Sequence, residues 1–338
     1  MSSRPIVLVT GGTGFLGSHI ISQLLSQGTY VVRAVARSAS KLQAIFPDAD
    51  KNDLEVVQIP SLTSDFSDAL KGVTAVVHSA SPGYLRDANS KEIYEGAYNG
   101  TIHLVEQAIA ASVKKIVVTG TYASLFDGDF KAAFGTKLIT GQDFGSITVD
   151  QVDVNDSNTM LIYVAAKTIA DKKVWELAHQ HPEVDITVIL PPVIFGPFVP
   201  NFPVTSRESL STNDFVYSLV LNGKDTYAPN LVGHMADVRD VAHAHIAALS
   251  APPVPKEDKR IIISAGAFTW KGIADLIRKE RPELKERLPR EDLNQGFGQT
   301  AAPLDTNFAK EILGMGQYIK WEETVLEALD AALTLERK

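Results

Sequence analysis

The sequence of 338 residues predicts an α/β protein, a doubly wound parallel sheet joined to a smaller mixed C-terminal α/β lobe. Three observations predict it. Short apolar runs rich in Val and Ile alternate with amphipathic segments through the first half, which is the pattern of βαβ units buried on both faces. A glycine-rich turn sits between the first run and the first helical segment. Beyond Pro197 the alternation gives way to loops, helices and isolated apolar runs. The boundary therefore falls at 196: residues 1–196 form the sheet domain, with segments near 235–265 returning to it, and 197–338 mainly form the second lobe.

The elements follow in order. "PIVLVT" (5–10) is a strand, "FLGSHIISQLLSQG" (15–28) a helix, and "YVVRAVAR" (30–37), "LEVVQI" (54–59) and "VTAVVHSA" (73–80) are further strands. "TIHLVEQAIAAS" (101–112) is a helix and "KKIVVTGT" (114–121) a strand. Residues 125–160 are rich in Gly, Asp and Thr and read as an excursion over one sheet edge, a kind of loop that often holds substrate. A helix around Tyr163 and the strand "DITVILPPVIFGP" (185–197) complete the domain. In the second lobe, helices are expected over 213–223, 238–250, 272–279 and 321–335, with a strand at "KRIIISAG" (259–266).

Composition excludes several classes. Thirty-two basic against 40 acidic residues give a net charge of -8, the wrong sign for a surface that grips nucleic acid or anionic lipid. There is no cysteine, hence no disulfide framework and no thiolate chemistry. The N-terminus lacks the pattern of a signal peptide and no apolar run approaches the ~18 residues of a membrane span. A soluble cytoplasmic protein is expected, without nucleic-acid or membrane partners. His243 and His245, like His179 and His181, stand two apart and point to different helix faces, so no metal site is implied.

In "VLVTGGTGFLGSHI", Gly11, Gly14 and Gly17 follow a strand and open a helix. Glycines there allow a tight turn and the approach of a pyrophosphate to unpaired N–H groups at a helix N-terminus. The second strand ends at Arg37, with Lys41 one turn later, where an NAD site usually carries a carboxylate; two cations read as a clamp for the 2′-phosphate of NADP.

Tyr163 and Lys167 are four apart on a helix and share a face. An unperturbed phenol, with a pKa of about 10, is a poor proton donor, but a neighbouring ammonium lowers that value and makes it a usable acid or base. At the strand end "VVTGTYAS", Thr119, Thr121 and Ser124 are candidates to hydrogen-bond a substrate oxygen.

Taken in order, "TGGTGFLG", "HSASP", "VVTGTYAS", "YVAAK" and "PPVIFGP" resemble the extended short-chain dehydrogenase/reductases. The chain is most similar to the dihydroflavonol-reductase-like branch, which includes yeast and fungal NADPH-dependent ketone, aldehyde and methylglyoxal reductases. The resemblance implies a Rossmann domain, NADP(H), and reduction of a small-molecule carbonyl compound to an alcohol by hydride transfer. It implies Tyr163 as the acid, Lys167 as the residue that binds ribose and lowers the tyrosine pKa, and Thr121, usually Ser in the family, as the hydroxyl that polarises the carbonyl. Implied cofactor contacts are Gly11, Gly14, Phe15, Leu16 and Gly17 at the turn, and Arg37, Lys41 and Leu62 around the adenosine. Ala80, Ser81, Thr119, Pro191 and Val193, at strand ends, complete the set together with Tyr163 and Lys167. Tyr84, Tyr122, Phe126, Phe195, Val199 and Phe202 stand in loops after the strands as expected pocket walls. Family members occur as monomers and homodimers. Rival readings are a sugar-nucleotide epimerase of the same superfamily and a regulator that senses NADP without turning it over.

Overall fold

The computed structural model describes residues 4–82, 88–221, 223, 225–227, 233–254, 257–293 and 300–337. The first strand, β1 (Ile6–Thr10), has Val7, Leu8 and Val9 wholly buried because helices cover both of its faces. The chain turns at the glycines into α1 (Phe15–Gln27), which sends Ile20, Ile21 and Leu24 into the core and stops at Gly28. That glycine takes a left-handed φ of 65° while its N–H caps the Leu24 carbonyl, a conformation other residues pay for. Then follow β2 (Val31–Ala36), α2 (Ala39–Ile45), β3 (Leu54–Gln58) and β4 (Val73–His78).

Asn89 and Glu92 form a reciprocal capping box that starts α3 (Ser90–Tyr94), and a π-helical turn at 95–99 leads into α4 (Gly100–Ala110). The helix expected at 101–112 thus begins earlier, on a local capping signal. Next come β5 (Lys115–Thr119), α5 (Thr159–Gln180) and β6 (Asp185–Leu190).

The predicted strand 185–197 is broken. Pro191 and Pro192 offer no N–H to a ladder, so β6 ends at Leu190 and the chain restarts as β7 (Val193–Phe195) in a different sheet. The chain continues with α6 (Asn213–Leu221), β8 (His234–Asp237), α7 (Val238–Ser250), β9 (Arg260–Ile262) and β10 (Gly266–Ala267). It closes with α8 (Trp270–Glu280), α9 (Asn307–Leu313) and α10 (Trp321–Leu333). The expected strand 259–266 is likewise split between two sheets: β9 pairs with β6, and β10 with β8.

The central sheet is seven-stranded and parallel in the order β3-β2-β1-β4-β5-β6-β9, which is the doubly wound arrangement; a second, mixed sheet runs β10-β8-β7. One face of the large sheet packs against α4 and α5 through Leu104, Val105 and Val174, the other against α1 and α7 through Ile21, Leu24 and Val241. A third core, around Phe195, Trp270 and Leu329, belongs to the lobe. α7, β9 and the Ala309–Met315 stretch all pack with the large sheet, so the C-terminal half is threaded through both units. Because β1 lies between β2 and β4, the winding reverses there, and a crevice opens beyond the carboxyl ends of β1 and β4.

Candidate active site

At the end of β1 the chain makes a turn that requires glycine. Gly11 has φ 79°, and a Cβ there would lie 2.8 Å from the amide nitrogen of Ala80. A Cβ on Gly17 would overlap the Gly11 carbonyl. Helix α1 begins at Gly14 with no side chain capping it and no acidic residue in its first turn, so its N–H groups and positive dipole end face the crevice. The chain around this turn is pinned from beneath: Ser79 Oγ donates to the Thr10 carbonyl at 2.7 Å, and the Ala80 N–H to Thr10 Oγ1 at 3.3 Å. Thr10 Oγ1 in turn meets Nδ1 of His78 at 2.8 Å. Burial, with the Lys167 charge adding to it, pushes the His78 pKa down to about 3. This cradle fits a pyrophosphate: it is free of side chains where an anion must approach and lined by donors.

Arg37 follows β2 directly and Lys41 lies in the first turn of α2, which Ser38 caps; both cations are exposed and neither has an ion-pair partner among the described residues. Leu62 is partly buried and packs over Gly100, and it does not line the crevice.

The crevice contains a cavity of about 280 Å³. Its walls include Gly11, Gly14, Phe15, Leu16 and Gly17 on one side and Thr119, Thr121 and Tyr163 on the other. Ser81, Pro191 and Val193 contribute from the ends of β4 and β6 and from β7. Ala80 and Lys167 are not among the lining residues.

Helix α5 starts at Asn158, whose side chain accepts the Leu161 N–H, and it presents Tyr163 to the cavity. Lys167, one turn on, is only 5% exposed, and its Nζ donates to the Thr119 carbonyl at 2.6 Å. Burial lowers its pKa to about 8, with the Asp171 carboxylate acting in the opposite sense. At neutral pH it is therefore mainly an ammonium, held against the end of β5. Thr121 is extended and accepts the Ala123 N–H at 3.2 Å, so its own hydroxyl proton is available to donate into the cavity it lines.

Ser124, the other hydroxyl considered, is buried away from the cavity. It donates to the Thr121 carbonyl at 2.8 Å and also faces Asp171 and Arg260, as part of a buried polar cluster.

The expected pocket walls divide. Tyr122 lines the cavity. Phe126, 2% exposed, and Phe195, wholly buried, are core residues: the first turns under Tyr122 at 5.4 Å between ring centres, the second packs on Phe268 and Trp270. Val199 is buried, and Phe202 stacks on Phe198, which meets the ring of Phe15; neither Val199 nor Phe202 lines the cavity. Tyr84 lies outside the described residues.

In their place the cavity takes Phe130 and Met160 from the excursion, and Ser211 and Thr212 ahead of α6. The excursion holds four phenylalanines, Phe126, Phe130, Phe134 and Phe144, and composition offers nothing to distinguish them. Phe130 is the one with a left-handed backbone, φ 51°, and the one that lines the cavity.

Comparison with known proteins agrees with this architecture. The chain belongs to the NAD dependent epimerase/dehydratase family, whose model matches residues 7–263. Among its relatives, a ketoreductase of Aspergillus niger is 31% identical over 91% of this chain and 92% of its own. An NADPH-dependent methylglyoxal reductase of Saccharomyces cerevisiae is 28% identical over 98% of each chain. The fold is also that of the crystal structure of yeast methylglyoxal/isovaleraldehyde reductase complexed with NADPH, with a TM-score of 0.81 over 98% of this chain and 99% of that one, at 24% identity. Among the described residues no helix is long and apolar enough to cross a membrane, and no cluster of His, Asp and Glu could hold a metal ion.

Proposed function

We propose that the protein is an NADPH-dependent reductase that converts an aldehyde or ketone to the corresponding alcohol. One observation carries this reading: a phenol and a donor hydroxyl line a cavity, a buried ammonium is held on the Thr119 carbonyl one helical turn from the phenol, and the opposite wall is a side-chain-free anion cradle. The reductase names of relatives that match along nearly the whole chain support it.

The glycine turn and the start of α1 would hold the pyrophosphate, and Arg37 and Lys41 the 2′-phosphate. NADPH, when bound, supplies a hydride for the carbonyl carbon. The chain's own residues manage the oxygen. Thr121 donates a hydrogen bond that stabilises the charge growing on it. Tyr163 gives up its proton to it, so that hydride plus proton make the alcohol. The Lys167 ammonium, on the same helical face, favours the phenolate left behind. Phe15, Tyr122, Phe130 and Met160 give the cavity an apolar character suited to a small carbonyl compound.

The test is consumption of NADPH, with NADH in parallel, against a panel of aldehydes, diketones, ketoesters and aryl ketones, comparing wild type with Tyr163→Phe. Turnover that favours NADPH and collapses at least about 100-fold in the variant is expected, the size of a general acid's contribution. A wild type that binds NADPH tightly but oxidises it with no carbonyl compound would refute the reading.

A further inference from the structure

His245, in the middle of α7, is wholly buried beside the active-site end of β5, and the chemistry above does not use it. Its Nε2 lies 2.7 Å from Thr119 Oγ1 and its Nδ1 2.7 Å from the Val241 carbonyl. A carbonyl can only accept, so Nδ1 must carry a proton. Burial lowers the pKa of this imidazole to about 4, which leaves it neutral with a single N–H. Nε2 is then a bare acceptor, and the Thr119 hydroxyl must give it its proton.

Two consequences follow for Thr119, which lines the cavity. Its side chain can offer the cavity only lone pairs, whereas Thr121, whose lone pair is used by the Ala123 N–H, can offer a proton. The two strand-end hydroxyls thus have opposite polarity, and only Thr121 suits a carbonyl oxygen. Thr119 instead suits a ligand donor, such as a hydroxyl or an amide NH2. In addition, the Thr119 carbonyl is the acceptor for Lys167 Nζ at 2.6 Å. The contacts therefore run from α7, on one face of the sheet, through β5 to α5, on the other.

We propose that His245 is a positioning residue: as the Nδ1–H tautomer it takes the Thr119 hydroxyl proton, fixes Thr119 as an acceptor toward bound ligand, and through Thr119 sets the place of Lys167. Its catalytic consequence rests on the reductase reading; the tautomer does not.

Two measurements test it. In protein labelled with 15N-histidine, the imidazole signals that vanish in His245→Phe should show a protonated Nδ1 and an unprotonated Nε2 in the wild type; a protonated Nε2 overturns the proposal whether or not the protein is a reductase. The second is a double-mutant cycle on kcat and on the NADPH dissociation constant with His245→Phe, Thr119→Val and the pair, with melting temperatures in parallel. Each single change should lower kcat about tenfold, as expected for one buried hydrogen bond. The pair should be no slower than the worse single variant, because both remove the same contact. Thr119→Ser, which keeps the hydroxyl, should restore most of the rate. Single effects that multiply in the pair, or a His245→Phe protein that melts earlier with kcat and NADPH affinity intact, would overturn the proposal. If the wild type reduces no carbonyl compound, the reductase reading fails, and the tautomer and the cycle on NADPH affinity still decide this one.

Discussion

Replacing Asp171 by asparagine is expected to cost the fold about 3–5 kcal/mol, the range for breaking one side of a buried ion pair. Asp171, one turn beyond Lys167 on α5, faces Arg260 at the start of β9, with side-chain exposures of 2% and 0%. Arg260 Nη2 donates to Asp171 Oδ2 at 2.7 Å and Nε to the same oxygen at 3.2 Å. At 2.7 Å, with an effective dielectric of about 20, the attraction is about 6 kcal/mol. Asparagine keeps an accepting oxygen but removes the charge, so the guanidinium stays buried with its desolvation uncompensated. Its remaining partners, the carbonyls of Gly141 and Asp143, the Ser124 hydroxyl and the ring of Phe144 beneath its Cζ at 3.4 Å, are neutral. The assay is urea unfolding at pH 7 of Asp171→Asn, Arg260→Met and the two combined. The pair should lose less than the sum of the single changes, because removing both charges also removes the desolvation they impose. A loss below about 1 kcal/mol for Asp171→Asn, at unchanged m-value, would show that the charge is compensated elsewhere and refute the reasoning. Since Arg260 straps residues 141–144 of the excursion to α5, the same variant should also raise KM, through Phe130 and Met160 at the cavity.

Lys167→Met should separate stability from activity. The lysine pKa falls from 10.5 to about 8 on folding, so the unfolded chain binds the extra proton between those values. Burying the ammonium therefore costs the native state most below pH 8, at about 3 kcal/mol, and the cost fades as pH rises towards 10.5. The methionine variant should be more stable than wild type at pH 7 and should lose that advantage by pH 10.5, while carbonyl reduction disappears; equal stability at pH 7 would mean that the ammonium is not desolvated. Arg37→Ala and Lys41→Ala should each raise the KM for NADPH about 10-fold or more, the worth of one charge-assisted hydrogen bond, and leave that for NADH nearly unchanged. Parallel losses for both cofactors would remove the 2′-phosphate clamp.

The features legible in the sequence are those written in local spacing. Alternation of apolar runs and amphipathic segments fixed the parallel sheet, because each strand and helix carries its own burial period. Gly11 and Gly17 were readable because no other residue tolerates the turn they make, and Tyr163 with Lys167 because a helix brings residues four apart onto one face. Tertiary structure alone decided which side chains of equal chemistry reach the cavity. Phe126 and Phe195 entered cores while Phe130 reached the wall, since apolar character sets how much a residue gains from burial and leaves open where it is buried. Ser124 went to the Asp171–Arg260 pair and Thr121 to the cavity by the course of one 3-10 turn, Tyr122–Leu125. His245 meets Thr119 across 126 positions of sequence, and Arg260 meets Asp171 across 89. Contacts at that separation have no period or spacing to announce them. They exist because a doubly wound sheet brings strand ends and helices from both halves of the chain to one crevice, where burial obliges each polar group to find its partner.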